Sequence, residues 1–261
     1  EVHLVWGGTR ILGFDFEDIN IHYLTAVRTS DVSFSQLLNE QYEVFSDDDE
    51  KARCNKLLDL FDNIHPDILI TEAYPFGRRQ MRFELLPLLE RANERSKPPL
   101  IAASIRDIMQ EGRKEKRVKE TLDLIEQYYD LVLVHGDKKL IPIEETLQGA
   151  DHFMDKVRYT GLVTPEPIVS DSHSEYSCDV LVTVGGGAFG QRLTRIALQA
   201  MQYSKQFPSN WIVSAGTELS ENEFNMLLET CPDGMRIVRY IPNLASEMKH
   251  CKVSVSHAGY N

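Results

Sequence analysis

A strand that ends in three glycines constrains this chain more than any other stretch. The segment Asp179–Gly190 has the sequence DVLVTVGGGAFG, and its run Val180–Val184 is short, apolar and rich in β-branched residues. Such a run is typical of a strand buried on both faces of a parallel sheet. The glycines at 185–187 remove every side chain where the backbone turns. The segment therefore predicts a strand leading into a turn that a ligand can approach closely.

An amphipathic helix is predicted directly after the glycines. From Gln191 onward, apolar residues recur with the period of a helix, at Leu193, Ile196, Ala197, Ala200 and Met201. The first N–H groups of a helix have no partner inside it and can bind an anion in the preceding turn. A tight turn without a ligand is the alternative, but it requires one glycine rather than three. The pattern therefore favours a phosphate-type ligand beside the glycines.

Strands and helices alternate along the chain, which predicts an α/β fold with parallel sheets. In the first half, strands are predicted at His3–Trp6, Ile19–Leu24, Asp67–Thr71, Leu100–Ala103, Leu131–Val134 and Arg158–Thr160. Helices are predicted there at Phe34–Leu38, Ala52–Phe61, Arg82–Glu94 and Lys116–Tyr128. In the second half, strands at Val180–Val184, Trp211–Ser214, Arg236–Tyr240 and Lys252–Ser256 alternate with helices at Gln191–Tyr203, Glu221–Thr230 and Leu244–Lys249.

A change in composition divides this pattern in two. Thr164–Ser177 contains two prolines and four serines without a helical period, which is typical of an interdomain linker. We expect a Rossmann-like domain over 1–166, a linker over 167–178 and a second Rossmann-like domain over 179–261, facing each other across a ligand cleft. Because the chain begins and ends inside predicted elements, we expect the domains to be incomplete at both ends.

Composition narrows the function classes. The formal net charge of −12 argues against a general nucleic-acid binder, although a small anion can still be held by backbone N–H groups. No apolar run approaches the roughly 20 residues that span a bilayer, and no signal peptide is visible. We therefore expect a cytoplasmic protein, with peripheral contact to a membrane surface as an open alternative. The four cysteines are scattered and form no C-x-x-C pair, which indicates reduced thiols: Cys54, Cys178, Cys231 and Cys251. No metal site is predicted.

Charged side chains follow two predicted strands of the first half. Glu72 comes after the third strand, and Arg78 and Arg79 come after a Pro/Gly turn. A carboxylate there can act as a general base while the arginines bind an oxyanion of the substrate. The alternative is a solvent-exposed Arg–Glu pair.

Arg106 and Asp107 follow the fourth strand, where they can pair with each other and with Glu72. Asp107 can instead cap a helix through its side chain. His135 follows the fifth strand, and a lone histidine there is interpreted as a turn residue.

The loops of the second half suit a nucleotide. Ala258 and Gly259 are small residues after the last strand, and they again permit a close backbone approach. Together with the glycines at 185–187, they fit a nucleotide diphosphate whose base lies against Tyr240–Pro242.

Two phosphate-binding motifs fit the glycines poorly. The pattern Gly185-x-Gly187-x-x-Gly190 matches the dinucleotide fingerprint of an NAD(P)-dependent oxidoreductase, but that motif requires an acidic residue at the tip of the next strand. Here the first acidic residue after the next strand is Glu218, which lies beyond the strand tip at Ser214. A P-loop requires Gly-Lys-Ser/Thr after the glycines, which is absent.

Several motifs carry a resemblance to a different family. TEAYPFGRRQMRFEL, ASIRDI, YYDLVLVHGD, VRYTGLV, VTVGGGAFG and SVSHAGYN occur in this order. The chain resembles predicted bacterial glycosyltransferases of the GT-B class, distant relatives of the family 28 transferase that adds N-acetylglucosamine to lipid I. The resemblance implies an N-terminal domain for the acceptor, a C-terminal domain for the nucleotide-sugar donor, and no metal requirement.

The same resemblance assigns donor-binding residues. The diphosphate would lie at Gly185, Gly186, Gly187 and Ala188, the base near Tyr240 and Ile241, and the phosphates or sugar at His257, Ala258, Gly259 and Asn261. The family's first glycine-rich loop, which carries a histidine, would precede Val2. The acidic residue that holds the ribose would follow Asn261.

We therefore expect a metal-independent glycosyltransferase that moves a sugar from a UDP-linked donor, its substrate rather than a cofactor, to a hydroxyl acceptor. Glu72 and Arg106 are the predicted catalytic residues, and Arg78, Arg79 and Asp107 are predicted to contact the acceptor. An NAD(P)-dependent oxidoreductase and a non-catalytic nucleotide-sugar-binding protein are the alternatives. The sugar, the acceptor, inversion or retention, and the oligomeric state are open.

Overall fold

The computed structural model describes residues 1–9, 18–29, 36–106, 108, 114–163, 176–184, 190–201, 203, 210–216 and 219–256. Contacts between Cα atoms divide the chain into two compact units, Glu1–Pro165 and Glu166–Asn261.

Within its described residues, the first unit contains a four-stranded parallel sheet and two small sheets. Its strands are β1 (Val2–Trp6), β2 (Ile19–Tyr23), β3 (Arg28–Thr29), β4 (Leu37–Leu38), β5 (Ile68–Glu72), β6 (Leu100–Arg106), β7 (Leu131–His135) and β8 (Val157–Tyr159). The larger sheet has the order β5-β6-β7-β8, β1 pairs in parallel with β2, and β3 pairs antiparallel with β4.

The helices of the first unit are α1 (Asp47–Ile64), α2 (Arg82–Asn93), α3 (Glu115–Tyr128) and the short α4 (Ile143–Thr146), with 3₁₀ turns at Arg79–Met81 and Ala150–Lys156. Helix α1 begins where Ser46 and Asp49 form a capping box, which satisfies N–H groups that the first turn leaves free. The side chains of β6 and β7 form the centre of the core, where Ala103, Val132 and Val134 are fully buried against the helices.

The helix predicted over Phe34–Leu38 is wrong at its described end. Leu37 and Leu38 form β4, which pairs with β3. A short apolar run does not distinguish a helix from a strand by its periodicity, and here tertiary pairing decides the outcome.

The described part of the second unit forms a four-stranded, all-parallel sheet with helices between its strands. Its elements are β9 (Val180–Thr183), α5 (Gly190–Met201), β10 (Trp211–Ser214), α6 (Glu221–Glu229), β11 (Met235–Val238), α7 (Leu244–His250) and β12 (Val253–Ser256). The strand order is β11-β10-β9-β12. The chain therefore adds β10 and β11 on one side of β9 and then returns to place β12 on the other side of β9, as in a Rossmann half.

Strand β9 is buried on both faces, which confirms the prediction from its β-branched run. Val182 packs in one apolar cluster with Ala197 and Val213, whereas Leu181 packs in another with Ile212. Alternate side chains of a strand point to opposite faces, so both layers of the unit meet at β9. Within the described ranges, no helix is both long and apolar enough to cross a membrane.

Candidate functional site

The second unit brings the ends of two predicted ligand-binding strands together. Thr183 at the end of β9 and Ser256 at the end of β12 are Cα partners in the parallel register. The strand order reverses between these two strands, and ligands of open α/β sheets bind outside the carboxyl ends at such a switch point.

The donor-loop residues follow these two strand ends in sequence. Eight of them lie outside the described residues: Gly185, Gly186, Gly187, Ala188, His257, Ala258, Gly259 and Asn261. Their roles therefore remain predictions, and what the fold contributes is the adjacency of Thr183 and Ser256, from which both loops start.

The amino end of α5 differs from those of the other helices of comparable length in this unit and the first. Helices α1 and α6 begin at Ser46 and Ser220, each with acidic residues in its first turn. Helix α5 has no acidic residue in its first turn. A carboxylate near the amino end of a helix interacts with the positive end of the helix dipole. In α5 no carboxylate of the first turn competes with a bound anion for this position.

Tyr240 and Ile241 follow β11 and differ in exposure. The side chain of Tyr240 is 59% exposed, whereas Ile241 is 3% exposed and packs with Leu181 and Ile212. An exposed tyrosine can cover a nucleotide base, and Ile241 can contact one only through its backbone because its side chain belongs to the core.

The amino end of β9 is tied to its neighbours by Asp179. Its carboxylate lies 2.6 Å from Lys252 Nζ and accepts a 3.2 Å hydrogen bond from the Asn210 backbone N–H. These two hydrogen bonds hold the pKa of Asp179 below its usual range. The contacts join the segments that lead into β9, β10 and β12.

In the first unit, Glu72 ends β5 and is paired with Arg78. Arg78 Nη2 donates to Glu72 Oε2 at 2.7 Å, and both side chains are more than half exposed. Arg79 instead donates to Glu120 of α3 at 2.6 Å, and Arg82 is paired with the same carboxylate. The structure therefore brings Glu72 together with Arg78 but directs the Arg79 guanidinium to a different partner.

Buried hydroxyl groups form hydrogen bonds with the backbone of the loop after β5. Thr71 Oγ1 lies 2.9 Å from the carbonyl oxygen of Tyr74 and 2.9 Å from the Tyr129 hydroxyl, which donates to the same carbonyl at 3.2 Å. Burial raises the pKa of Tyr129 far above its usual range, so the phenol stays neutral. This cluster fixes the backbone that carries Glu72.

Arg106 ends β6 and is exposed, and it is the Cα partner of His135 at the end of β7. Asp107, its predicted neighbour at the site, lies outside the described residues. Glu72 is the Cα partner of Ser104, so Glu72 and Arg106 belong to the same carboxyl edge of the sheet.

Sequence reasoning missed a hydrogen-bonded chain across this edge. Ser104 Oγ lies 2.8 Å from His135 Nε2, and His135 Nδ1 lies 2.8 Å from Thr160 Oγ1. The three residues stand on β6, at the end of β7 and directly after β8. The signal available in the sequence is that each residue occurs at the carboxyl end of a successive strand, whereas the local pattern at His135 indicates only a turn residue.

Comparisons with known proteins rest on the fold. No protein-family model matches the chain, and no curated protein sequence matches it. Solved structures of other proteins share its fold at low identity, and three of them serve as examples. They are a UDP-N-acetylglucosamine 2-epimerase from Rickettsia bellii (TM-score 0.53, 11% identity, 97% of this chain and 66% of that one), an S. aureus MnaA–UDP co-structure (0.54, 12%, 99% and 74%) and Phytolacca americana UGT2 complexed with UDP-2fluoro-glucose and pterostilbene (0.53, 12%, 100% and 70%).

The chain thus spans just under two thirds of the length of the epimerase and somewhat more of the other two proteins. At identities of 11–12%, this likeness establishes the fold alone. With its parallel Rossmann-like sheets, this chain has the mixed α/β fold of the GT-B class.

Proposed function

We propose that this protein transfers a sugar from a UDP-linked donor to a hydroxyl acceptor without a metal ion. The observation that carries the proposal is the strand order β11-β10-β9-β12, which reverses between the two strands followed in sequence by GGGA and HAGYN. Small residues after both strands of a switch point suit a pyrophosphate, because the backbone can approach its oxygens closely.

The donor half of the proposal assigns the diphosphate to the backbone N–H groups at 186–188 and to the amino end of α5. These groups stabilise the negative charge that develops on the leaving UDP. Tyr240 covers the base with its exposed ring, and the backbone of Ile241 binds the edge of the base. His257, Ala258, Gly259 and Asn261 contact the phosphates or the sugar.

The acceptor half of the proposal concerns the carboxyl edge of the first unit. Arg106 and the Glu72–Arg78 pair lie at this edge and contact acceptor hydroxyls. The roles of Arg79 and Asp107 as acceptor contacts rest on the sequence resemblance alone. The charge of Glu72 is already balanced by Arg78 at 2.7 Å, so Glu72 suits binding of a hydroxyl better than removal of its proton.

Calorimetry with UDP, with and without magnesium, tests the donor site. We expect UDP to bind equally well in both conditions. Gly186→Asp should abolish binding because a carboxylate beside the diphosphate repels it, and Gly186→Asn, which has the same size and no charge, should bind more tightly than Gly186→Asp. Equal loss of stability and of binding in both variants would indicate a plain structural turn.

A ligand panel separates the alternatives. Tight binding of NADH without binding of UDP would favour the oxidoreductase and overturn the proposal. Because epimerases share this fold, incubation with UDP-glucose and UDP-N-acetylglucosamine should be followed both for release of UDP and for a changed sugar on intact UDP. Binding of UDP with neither product would leave a non-catalytic nucleotide-sugar-binding protein.

A further inference from the structure

We infer that Ser104, His135 and Thr160 form the proton relay that activates the acceptor hydroxyl, an inference that rests on the proposed sugar transfer. Three side chains from successive strands meet at the edge where α/β sheets bind ligands. Ser104 and His135 are half-buried and Thr160 is exposed, so a ligand can reach the chain of hydrogen bonds.

Hydrogen bonding at Thr160 determines the tautomer of the imidazole. Thr160 Oγ1 lies 3.0 Å from the carbonyl oxygen of Gly161 and 3.4 Å from that of Val134, and a carbonyl can only accept. The single hydroxyl proton is therefore donated to a carbonyl, and Thr160 Oγ1 accepts from His135 Nδ1–H. A neutral imidazole protonated on Nδ1 has a bare Nε2, which accepts the Ser104 hydroxyl proton at 2.8 Å.

This arrangement leaves Ser104 Oγ able to accept from a substrate. As the acceptor oxygen forms a bond to the anomeric carbon of the UDP-sugar, its proton passes to Ser104 Oγ and the serine proton passes to His135 Nε2. The bond between the anomeric carbon and the phosphate oxygen breaks, and UDP leaves with the electron pair. His135 becomes an imidazolium whose Nδ1–H still donates to Thr160, and it later returns its extra proton to solvent.

Charged groups around the relay are compatible with these steps. Arg106 is the Cα partner of His135, Glu72 is the Cα partner of Ser104, and Asp137 follows in the loop after β7. Glu72 is engaged by Arg78. Within the relay, Ser104 takes the proton of the reacting hydroxyl, His135 holds the proton that Ser104 passes on, and Thr160 is a positioning residue.

Turnover of three variants tests the relay, with methyl glucoside and glycerol as hydroxyl probes and UDP-glucose or UDP-N-acetylglucosamine as donor. His135→Gln should lower kcat/KM by about 10²- to 10⁴-fold and should remove the decline of rate at acid pH, because a glutamine has no proton to gain. Thr160→Val should lower the rate and Thr160→Ser should restore it. His152→Gln, an exposed histidine of the same unit, is the control and should match the wild type.

The outcomes distinguish this relay from the sugar transfer itself. If His135→Gln keeps the wild-type rate and acid decline, the relay is overturned while sugar transfer stands. If the wild type neither binds UDP nor releases it from either donor, the proposed function fails and the relay fails with it. Nitrogen NMR of His135 gives an answer without turnover: the neutral ring should carry its proton on Nδ1, and a proton on Nε2 would refute the relay.

Discussion

Replacing Glu84 by glutamine should destabilise the first unit far more than the same change at Glu72. Both carboxylates are paired with arginine at close range: Arg53 Nε donates to Glu84 at 2.6 Å and Nη2 donates at 3.0 Å, while Arg78 donates to Glu72 at 2.7 Å. The side chains of Arg53 and Glu84 are only 3% and 4% exposed, whereas those of Arg78 and Glu72 are 56% and 64% exposed.

Burial sets the magnitude of the expected effect. Removing one partner of a buried pair leaves an uncompensated charge and typically costs about 3–5 kcal/mol, whereas an exposed pair contributes about 0–1 kcal/mol. Glutamine can still accept one hydrogen bond, so we expect a loss of about 3 kcal/mol for Glu84→Gln. Arg53 also donates to the carbonyl oxygens of Gly7 at 3.1 Å and of Thr25, so the loss should extend to the ends of β1 and β2.

Urea unfolding followed by the fluorescence of Trp6 measures this loss in the first unit. The chain has two tryptophans, and a Trp211→Phe background removes the signal of the second unit. With a slope of about 2 kcal/mol per M, Glu84→Gln should lower the midpoint by about 1.5 M, and Glu72→Gln should lower it by less than about 0.5 M. Midpoints that fall equally for the two variants would refute the argument from burial.

The remaining predictions concern backbone packing and buried hydroxyls in the same unit. Gly7→Ala should lose about 1–3 kcal/mol in the same assay, because a Cβ there would clash with Arg53 Nη2, which is held in place by Glu84. Gly8→Ala is the control, since the nearest neighbour of its Cβ would be at 3.6 Å. Tyr129→Phe should lose about 1 kcal/mol with its hydrogen bonds, whereas Tyr74→Phe should gain about as much because the buried Tyr74 hydroxyl has no hydrogen-bond partner among the described residues. Because burial raises the pKa of Tyr129 above 10.0, the stability that this tyrosine contributes is fully present below pH 10.0 and is lost as the pH rises further. The unfolding midpoint of Tyr129→Phe should therefore fall less steeply with alkaline pH than that of the wild type. Parallel curves for the two proteins would contradict this argument.

Local patterns predicted the elements of both units well where they were long or strongly apolar. The run Val180–Val184 predicted a buried strand, and the structure has β9 there with both faces covered. The apolar stripe after Gln191 predicted α5. These features depend on residues within a few positions of one another, and the periodicity of a strand or helix records such neighbours directly.

Contacts between distant residues could not be predicted in the same way. Ser104 and His135 are 31 positions apart, and so are Arg53 and Glu84. A charged residue on an amphipathic helix is ordinarily exposed, so no helical pattern indicates that Arg53 and Glu84 are buried as a pair. The local sequence indicates only a turn residue at His135, because the partners of its ring are supplied by the register of β6, β7 and β8.

By itself, the sequence determined where a strand gives way to glycines and where a helix follows, because backbone freedom and apolar periodicity are local properties. The tertiary structure alone decided that β12 pairs with β9, so that the sequences GGGA and HAGYN begin from neighbouring strand ends. Strand pairing depends on hydrogen bonds and packing between segments about 70 residues apart, and no window along the chain contains both partners.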